Sequence, residues 1–379
     1  MTIRLPIRLL LLAMLALVFP QMALAQTAGT LISSDPVVET PDGMQAWKIR
    51  YWTTNLDGRP AQVTGMVVAP REAIPPTPRP VIAWTHGTSG VVQKCAPSLS
   101  SEFFTATPAL ADMIKRGYVV VAPDYPGLGS DMPHPYLIGQ DTARSVLDAV
   151  RAARQIAGAA TGPRFAVWGE SQGGHAALWT SVIARSYAPE LTLVGTAAAA
   201  PPTDLPAVLN GGTDLNIRAM LTAFTAYSWS QRYGFPLSTL FGKFDQGVAT
   251  RLAQNNCISL NAKPKLGTIL GITQIRKALK NKDLGRIAPW AAVMRANSVD
   301  PRAVNGPLLI AQTVSDPIVA PAITAKFARA RCRTGAPVFY VSLPGGDHSH
   351  SARDSAPATL DWIAARFTGQ PAPSSCGKI

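Results

Sequence analysis

The segment 169–173, which reads GESQG, places the strictest limit on the fold of this chain. An apolar run at 165–168 precedes the segment, and a helix-compatible stretch at 174–179 follows it. A serine between a strand and a helix, flanked by two glycines, is typical of a sharp turn at which larger side chains would collide with both elements. The pattern predicts that Ser171 is held above a sheet as a nucleophile. The alternative is an ordinary glycine-rich turn.

A serine nucleophile needs a histidine base that a carboxylate orients, because its hydroxyl reacts poorly at neutral pH. The chain has five histidines. Two of them, His348 and His350, follow a strand-like run at 338–343 through a Gly-Gly-Asp turn, and a helix is predicted at about 355–367. Since the turn brings His348 first off the strand end, we predict His348 as the base, with His350 as the alternative.

The orienting acid is expected after the preceding strand, which the sequence places at 307–313. Asp316 follows that strand and is the predicted acid. An aspartate before proline is also ordinary turn chemistry, so a solvated turn is the alternative for this residue. Asp347 is the second candidate acid, but it is too close to His348 in sequence to reach the far ring nitrogen.

An oxyanion intermediate requires two N–H donors. The residue after the nucleophile, Gln172, supplies one of them at the positive end of a helix. The loop 86–90 follows a predicted strand at 81–85 and supplies the other, for which Thr88 is preferred and Gly87 is next. His86 precedes Ser171 and is expected to anchor this loop.

Several spaced motifs agree in order with one known family: 86–90, 122–129, 134–137, 169–175, 188–191 and 343–348. Together they resemble the secretory lipase (LIP) family of α/β-hydrolases, from about residue 40 to Cys376. The resemblance implies an α/β-hydrolase fold, with a mostly parallel central sheet flanked by helices. It implies Ser171, Asp316 and His348 as nucleophile, acid and base. It also implies hydrolysis of carboxylic esters, including acylglycerols, but no particular acyl length, because the family includes short-chain esterases.

Asp124 and Tyr125 end a predicted buried strand at 118–122 and are candidate substrate-binding residues beside the oxyanion loop. The alternative for Asp124 is a strand-end aspartate that accepts backbone N–H groups of the following glycine turn. His134 and His175 are assigned to structure. Neither a metal nor another cofactor is expected, since no second ligand cluster accompanies the histidines at 348 and 350.

Residues 1–25 have the features of a secretory signal: two arginines, an apolar stretch at 9–19, and Ala23-Leu24-Ala25 before Gln26. We expect cleavage after Ala25 and a secreted or periplasmic protein. No later stretch is long and apolar enough to suggest a transmembrane segment.

Export makes disulfides possible for the four cysteines, Cys95, Cys257, Cys332 and Cys376, with three possible connectivities. The family resemblance favours the pairs Cys95–Cys257 and Cys332–Cys376. The cysteine spacings fit neither a metal site nor a nucleophilic cysteine motif.

The strand signals divide the chain into a first core part at 26–202, a helical cap at 203–304 and a last core part at 305–379. The cap is predicted to be inserted between late core strands. Its apolar residues are predicted either to wall the acyl site or to form the cap's own core: Met220, Leu221, Phe224, Tyr227, Trp229, Tyr233, Phe235, Leu240 and Phe241.

The formal net charge is +13, and residues 263–295 hold eight basic residues against one acid, Asp283. No binding motif supports a nucleic-acid partner. A partly amphipathic helix around 272–284 is predicted to dock on anionic lipid or on the cell envelope. The alternative is a solvated basic face.

The sequence therefore predicts an exported serine hydrolase that cleaves small-molecule or lipid esters through an acyl-enzyme. A serine peptidase or an acyltransferase would use the same triad. A non-catalytic envelope-binding protein is the alternative from a different class.

Overall fold

The computed structural model describes residues 26–258 and 263–379, so the predicted signal at 1–25 lies outside the described residues. In these two ranges, nine strands form a single sheet. Their bounds are β1 Leu31–Pro36, β2 Met44–Thr54, β3 Pro60–Pro70, β4 Arg79–Thr85, β5 Val119–Pro123, β6 Thr161–Glu170, β7 Thr192–Ala199, β8 Leu308–Thr313 and β9 Val338–Leu343.

The sheet has the order β1-β2-β3-β5-β4-β6-β7-β8-β9. β1, β2, β3 and β5 pair antiparallel in that sequence, and the remaining strands pair parallel. Parallel neighbours require crossover connections, which explains why strands alternate with helices from β4 onward. The fold is therefore the predicted one, a mostly parallel sheet flanked by helices.

Eleven α-helices occur in the described residues. They are α1 Phe103–Ala106, α2 Leu110–Lys115, α3 Gly139–Ala153, α4 Gln172–Tyr187, α5 Leu205–Gly211, α6 Leu215–Tyr233, α7 Lys243–Asn255, α8 Leu266–Ala278, α9 Trp290–Asn297, α10 Pro321–Cys332 and α11 Ser351–Phe367. The last helix begins four residues before its predicted start at 355.

Separate apolar clusters cover the two faces of the central strands. One contains Val146 and Leu147 of α3 with Ala176 of α4, packed against alternate residues of β4, β5 and β6. The other contains Leu360 and Ile363 of α11 together with residues of α2 and the opposite set of strand positions. Alternate strand residues point to opposite faces, so helices on both sides are needed to bury strands that are apolar throughout.

The segment between β7 and β8, which we call the cap segment (203–304), contains α5 to α9. It has an apolar cluster of its own, with Phe224, Trp229 and Trp290 fully buried. Trp229 Nε1 donates to the carbonyl of Tyr136 at 2.8 Å, which fixes α6 to the loop before α3. The division of the chain into a core and a functional cap stays a prediction.

Both disulfides favoured by the family resemblance are present. Cys95 is bonded to Cys257, and Cys332 to Cys376. The first joins the loop after β4 to the cap segment, and the second joins the end of α10 to the C-terminal tail. Within the described ranges, no helix has both the length and the apolar character of a membrane span.

Candidate active site

Ser171 stands at the turn between β6 and α4 with a φ of 56° and a ψ of −122°, which is outside the helical and extended regions. The flanking glycines make this turn possible. A Cβ on Gly169 would lie 1.9 Å from Thr85 Oγ1, and a Cβ on Gly173 would lie 1.8 Å from the Thr85 carbonyl oxygen. The serine is therefore held at the carboxyl edge of the sheet, in the strained conformation that the sequence pattern predicts.

Asp316 and His348 meet at the same edge. Asp316 Oδ2 lies 2.7 Å from His348 Nδ1, and Asp316 Oδ1 accepts the N–H groups of Ile318 at 2.8 Å and Val319 at 2.9 Å. Burial opposes ionisation of this carboxyl, but the His348 hydrogen bond and charge and the two N–H groups outweigh it and lower its pKa. An ionised Asp316 fixes the imidazole with Nδ1 protonated.

The other ring nitrogen of His348, Nε2, is buried and has no hydrogen-bond partner in the part of the chain that the structure describes. With Nδ1 protonated, Nε2 is the basic nitrogen, which is the atom a general base uses.

His350 and Asp347, the alternative base and acid, form a separate pair. His350 Nδ1 lies 2.9 Å from Asp347 Oδ1, and the same oxygen accepts the N–H and hydroxyl of Ser349. This pair is more exposed than the Asp316–His348 pair. The structure thus brings His348 to Asp316 and leaves Asp347 with His350.

The two candidate oxyanion donors are backbone amides. Gln172 is the first residue of α4, so its N–H has no acceptor within the helix. Thr88 lies in the loop after β4, and its hydroxyl is 2.8 Å from the Tyr136 hydroxyl. Neither N–H has a hydrogen-bond acceptor among the described residues. Both remain free to bind a developing oxyanion.

His86 anchors the loop that carries Thr88. Its ring stacks on Tyr125 with centroids 4.2 Å apart, and its ring nitrogens lie near the carbonyl oxygens of Gly87 and Asp124. Tyr125 donates its hydroxyl to the His86 carbonyl oxygen at 2.9 Å. The histidine therefore supports the loop, and burial lowers its pKa.

Asp124 and Tyr125 are buried and do not line the cavity at Ser171. The Asp124 carboxylate accepts from Thr64 Oγ1 at 2.7 Å and from Ser98 N at 2.8 Å. The Asp124 carboxylate therefore holds β3 and the turn at Ser98. It does not accept the N–H groups of the glycine turn after β5, which was the alternative expected from the sequence. These contacts give no support to a substrate-binding role for either residue.

His134 and His175 are buried and neutral. Burial lowers the pKa of each to about 4. His134 Nδ1 donates to the Pro126 carbonyl oxygen at 2.7 Å, and its Nε2 lies 3.2 Å from Nε2 of the Gln172 side chain. His175 Nε2 lies 2.7 Å from the Asn297 carbonyl oxygen and joins α4 to the end of α9. Both have the contacts of structural residues.

A small cavity of about 20 Å³ opens at Ser171, with Thr88 and Gln172 on its wall. The cap segment closes it with Leu205, Val208, Leu209 and Leu221. Of the nine apolar residues predicted for the acyl wall, only Leu221 lines this cavity, while Phe224, Trp229, Leu240 and Phe241 are buried in the cap cluster. Sequence reasoning missed the α5 residues, whose spacing Leu205, Val208, Leu209 is the i, i+3, i+4 pattern of one helix face.

A second cavity, of about 390 Å³, also has Thr88 on its wall. Trp84, Phe103 and Ile258 line it, and so does Glu170, the residue before the nucleophile. Sequence reasoning also missed Glu170. The partner of its carboxylate, Ala352 N at 2.7 Å, is 182 residues away, so no local pattern gives this contact.

The secretory lipase family model matches residues 104–375. The chain belongs to the secretory lipase family. It is thereby placed among lipase-type hydrolases. The matched region includes β5 to β9 and every triad candidate, and the sheet order agrees with the α/β-hydrolase architecture.

Relatives in this family come from fungi and bacteria. The chain is 26% identical over 355 residues to Lipase 5 of Candida albicans, covering 88% of this chain and 74% of that protein. It is 25% identical over 360 residues to a protein of Mycobacterium tuberculosis named probable inactive lipase, covering 87% of this chain and 75% of that protein.

Two solved structures share the fold. Candida antarctica lipase A in its closed state superimposes with a TM-score of 0.76 at 20% identity, covering 93% of this chain and 85% of that one. The rice cell wall degrading esterase LipA from Xanthomonas oryzae gives a TM-score of 0.69 at 19% identity, covering 90% and 98%.

Proposed function

We propose that this protein is an exported serine hydrolase that cleaves carboxylic esters through a Ser171–His348–Asp316 triad. The observation that carries the proposal is the Asp316–His348 contact of 2.7 Å, which leaves His348 Nε2 buried and unpaired among the described residues. Family membership alone does not establish turnover, since one relative is named an inactive lipase.

In the proposed reaction, Ser171 Oγ attacks the ester carbonyl carbon while His348 Nε2 takes the hydroxyl proton. The Gln172 and Thr88 N–H groups bind the resulting oxyanion. As the tetrahedral intermediate collapses, the bond to the alcohol breaks and the imidazolium returns its proton to the leaving oxygen. Water then attacks the acyl-enzyme by the same proton transfers and releases the acid and free Ser171.

The test is hydrolysis of p-nitrophenyl esters from acetate to palmitate by the wild type, by Ser171→Ala and by the control Ser186→Ala. Ser186 lies on the same helix, and its hydroxyl bonds to the Ile183 carbonyl oxygen, so its loss leaves the triad intact. We expect Ser171→Ala to lower kcat by at least about 10⁴-fold and Ser186→Ala to stay within twofold. Activity retained by Ser171→Ala would refute the triad.

The same variants separate the rival functions. Faster cleavage of an amide than of the matching ester would favour a peptidase, and product esters formed with an added alcohol would favour an acyltransferase. If no substrate turns over and a serine-directed phosphonate leaves Ser171 unlabelled, the non-catalytic envelope-binding function becomes the better explanation.

We further propose that the mature protein is secreted or periplasmic. The two disulfides support an oxidising compartment. N-terminal sequencing of the exported protein is expected to begin at Gln26, and an intact Met1 would contradict processing.

The proposed partner of the cap segment is an anionic lipid surface. Exposed apolar side chains lie on α7 and at the start of α8: Phe244 (69% exposed), Leu266 (72%), Ile269 and Leu270 (61%). This exposed apolar surface lies earlier in the chain than the predicted stretch at 272–284, where Ile275, Leu279 and Leu284 are buried.

The groove beside the exposed apolar side chains is basic. It is lined by Lys94, Arg251, Lys265 and Lys277, and no acid is among its described lining residues. Lys94 also lines the 390 Å³ cavity that contains Thr88.

Vesicles of phosphatidylcholine with and without phosphatidylglycerol test this partner. We expect binding only to the anionic vesicles and loss of binding as salt is raised, because the charge attraction is screened. Leu266→Ser/Leu270→Ser is expected to weaken binding at least about tenfold. The control is Val38→Ser, which changes an apolar side chain that is 93% exposed and lies outside the cap segment. Equal binding of neutral vesicles, or none at low salt, would contradict the proposal.

A further inference from the structure

Glu170 connects the strand that carries the nucleophile to the element that carries the histidine. It is the last residue of β6 and precedes Ser171. Its Oε1 accepts the N–H of Ala352 at 2.7 Å, in the first turn of α11. That helix follows directly on the turn His348–His350. One carboxyl therefore ties the two halves of the proposed triad together.

Three side chains of the site act electrostatically on the Glu170 carboxyl. Burial raises the pKa of Glu170 to about 7, with Asp316 and Asp347 adding to the rise, while the Ala352 N–H and His348 oppose it. Near neutral pH this carboxyl is therefore only partly ionised in the folded protein, and its ionisation costs more there than in water. A glutamine oxygen would accept the same Ala352 N–H without that cost, so anchoring α11 does not by itself require an acid here.

Glu170 and His348 interact electrostatically, since His348 lowers the pKa of the Glu170 carboxyl. When the imidazole takes the proton from Ser171, it becomes a cation in a site that is largely shielded from water. The same interaction then lets an ionised Glu170 stabilise that cation, in addition to Asp316.

We propose that Glu170 is a positioning residue of the ester hydrolysis assigned above, which fixes the turn of His348 against Ser171 and, in its ionised form, stabilises the imidazolium. The proposal rests on the proposed triad. Glu170 also lines the 390 Å³ cavity.

The test compares the wild type with Glu170→Gln from pH 5.5 to pH 8.5, with kcat and KM measured separately. The control is Asp361→Asn, which removes a 73% exposed carboxylate from the same helix α11. At pH 8 we expect Glu170→Gln to lower kcat about tenfold with KM within twofold. The deficit is expected to shrink toward pH 5.5, because the wild-type carboxyl is then protonated too. Asp361→Asn is expected to stay within twofold throughout.

Thermal unfolding of the same variant separates a catalytic charge from a structural one. At pH 8 we expect the midpoint of Glu170→Gln to equal or exceed that of the wild type, since an unfavourable buried charge is removed. A kcat within twofold of the wild type at pH 8, with Ser171→Ala inactive, would overturn the inference and leave the triad standing. A loss of kcat that accompanies a lowered midpoint and does not vary with pH would also overturn it. Activity in Ser171→Ala would instead refute the triad itself.

Discussion

At the residue scale, the choice between two acids depends on which carboxylate reaches His348. Asp316 does so from the end of β8, and two backbone N–H groups hold its other oxygen in place. Asp347, adjacent in sequence, turns toward His350 and Ser349. Asp347 is too close to His348 in the chain to reach its ring. Asp316, 32 positions earlier, makes the contact with His348 Nδ1 instead.

Asp316→Asn is expected to lower kcat about 10³- to 10⁴-fold, because an amide in place of the carboxylate no longer fixes the tautomer and no longer stabilises the imidazolium. Asp347→Asn is the matched variant and is expected to stay within about threefold. Ester hydrolysis measured at saturating substrate checks both. Similar losses in the two variants would contradict the assignment of Asp316.

At the element scale, the turn between β6 and α4 is determined by close backbone approach. Thr85 at the end of β4 donates its hydroxyl to the Gly173 carbonyl oxygen at 2.8 Å, and the helix enters directly against that strand. The two glycines of the local pattern predict the tight turn that places Ser171 and the Gln172 amide, whereas the Thr85 contact joins residues 88 apart and has no local signal.

Gly173→Ala is therefore expected to destabilise the protein by about 3 kcal/mol or more, since its Cβ would lie 1.8 Å from the Thr85 carbonyl oxygen. The control is Gly211→Ala, because a Cβ at position 211 would have no heavy atom within 4 Å. This variant is expected to change stability by less than about 1 kcal/mol. Chemical denaturation measures both. Equal midpoints for the two variants would refute the close-approach argument.

Contacts between distant elements were not predictable in the same way. The sequence has no local signal that α11 begins at Ser351. The first turn of that helix is instead held by Glu170 of β6, which accepts the N–H of Ala352. The cavity wall formed by Leu205 and Val208 depends on how α5 packs over the turn of Ser171. Such features follow from tertiary packing, and a single sequence contains no periodic signal for them.

The disulfide Cys332–Cys376 fixes the C-terminal tail to the end of α10. Cys332→Ser/Cys376→Ser is expected to lower the free energy of unfolding by about 2 to 4 kcal/mol, because it frees a loop between residues 44 apart. Ester hydrolysis at 25 °C is expected to stay within twofold, with the wild type under the same buffer as reference. An unchanged denaturation midpoint would show that the disulfide contributes no stability.

At the scale of the whole molecule, buried ionisable groups determine how stability varies with pH. The pKa values of His134 and His175 are lowered from 6.5 to about 4, so below pH 6.5 the unfolded chain binds protons that the folded chain does not. Their contribution is complete above pH 6.5 and is lost as the pH falls toward 4. Glu170 acts in the opposite sense, because its pKa is raised from 4.5 to about 7 and its ionisation reduces stability as the pH rises through that range.

Between pH 4.5 and 6.5, acidification therefore lowers stability through His134 and His175 and raises it through Glu170. Well between its two pKa values, each histidine contributes a slope on the order of 1 kcal/mol per pH unit. His175→Gln is expected to flatten the pH dependence by that amount and Glu170→Gln to steepen it. Urea unfolding of the wild type and the two variants at half-unit steps from pH 4.5 to 7.5 measures the slopes. A slope in His175→Gln equal to that of the wild type would mean that this histidine is protonated in the folded protein, and the neutral contact with the Asn297 carbonyl would have to be abandoned.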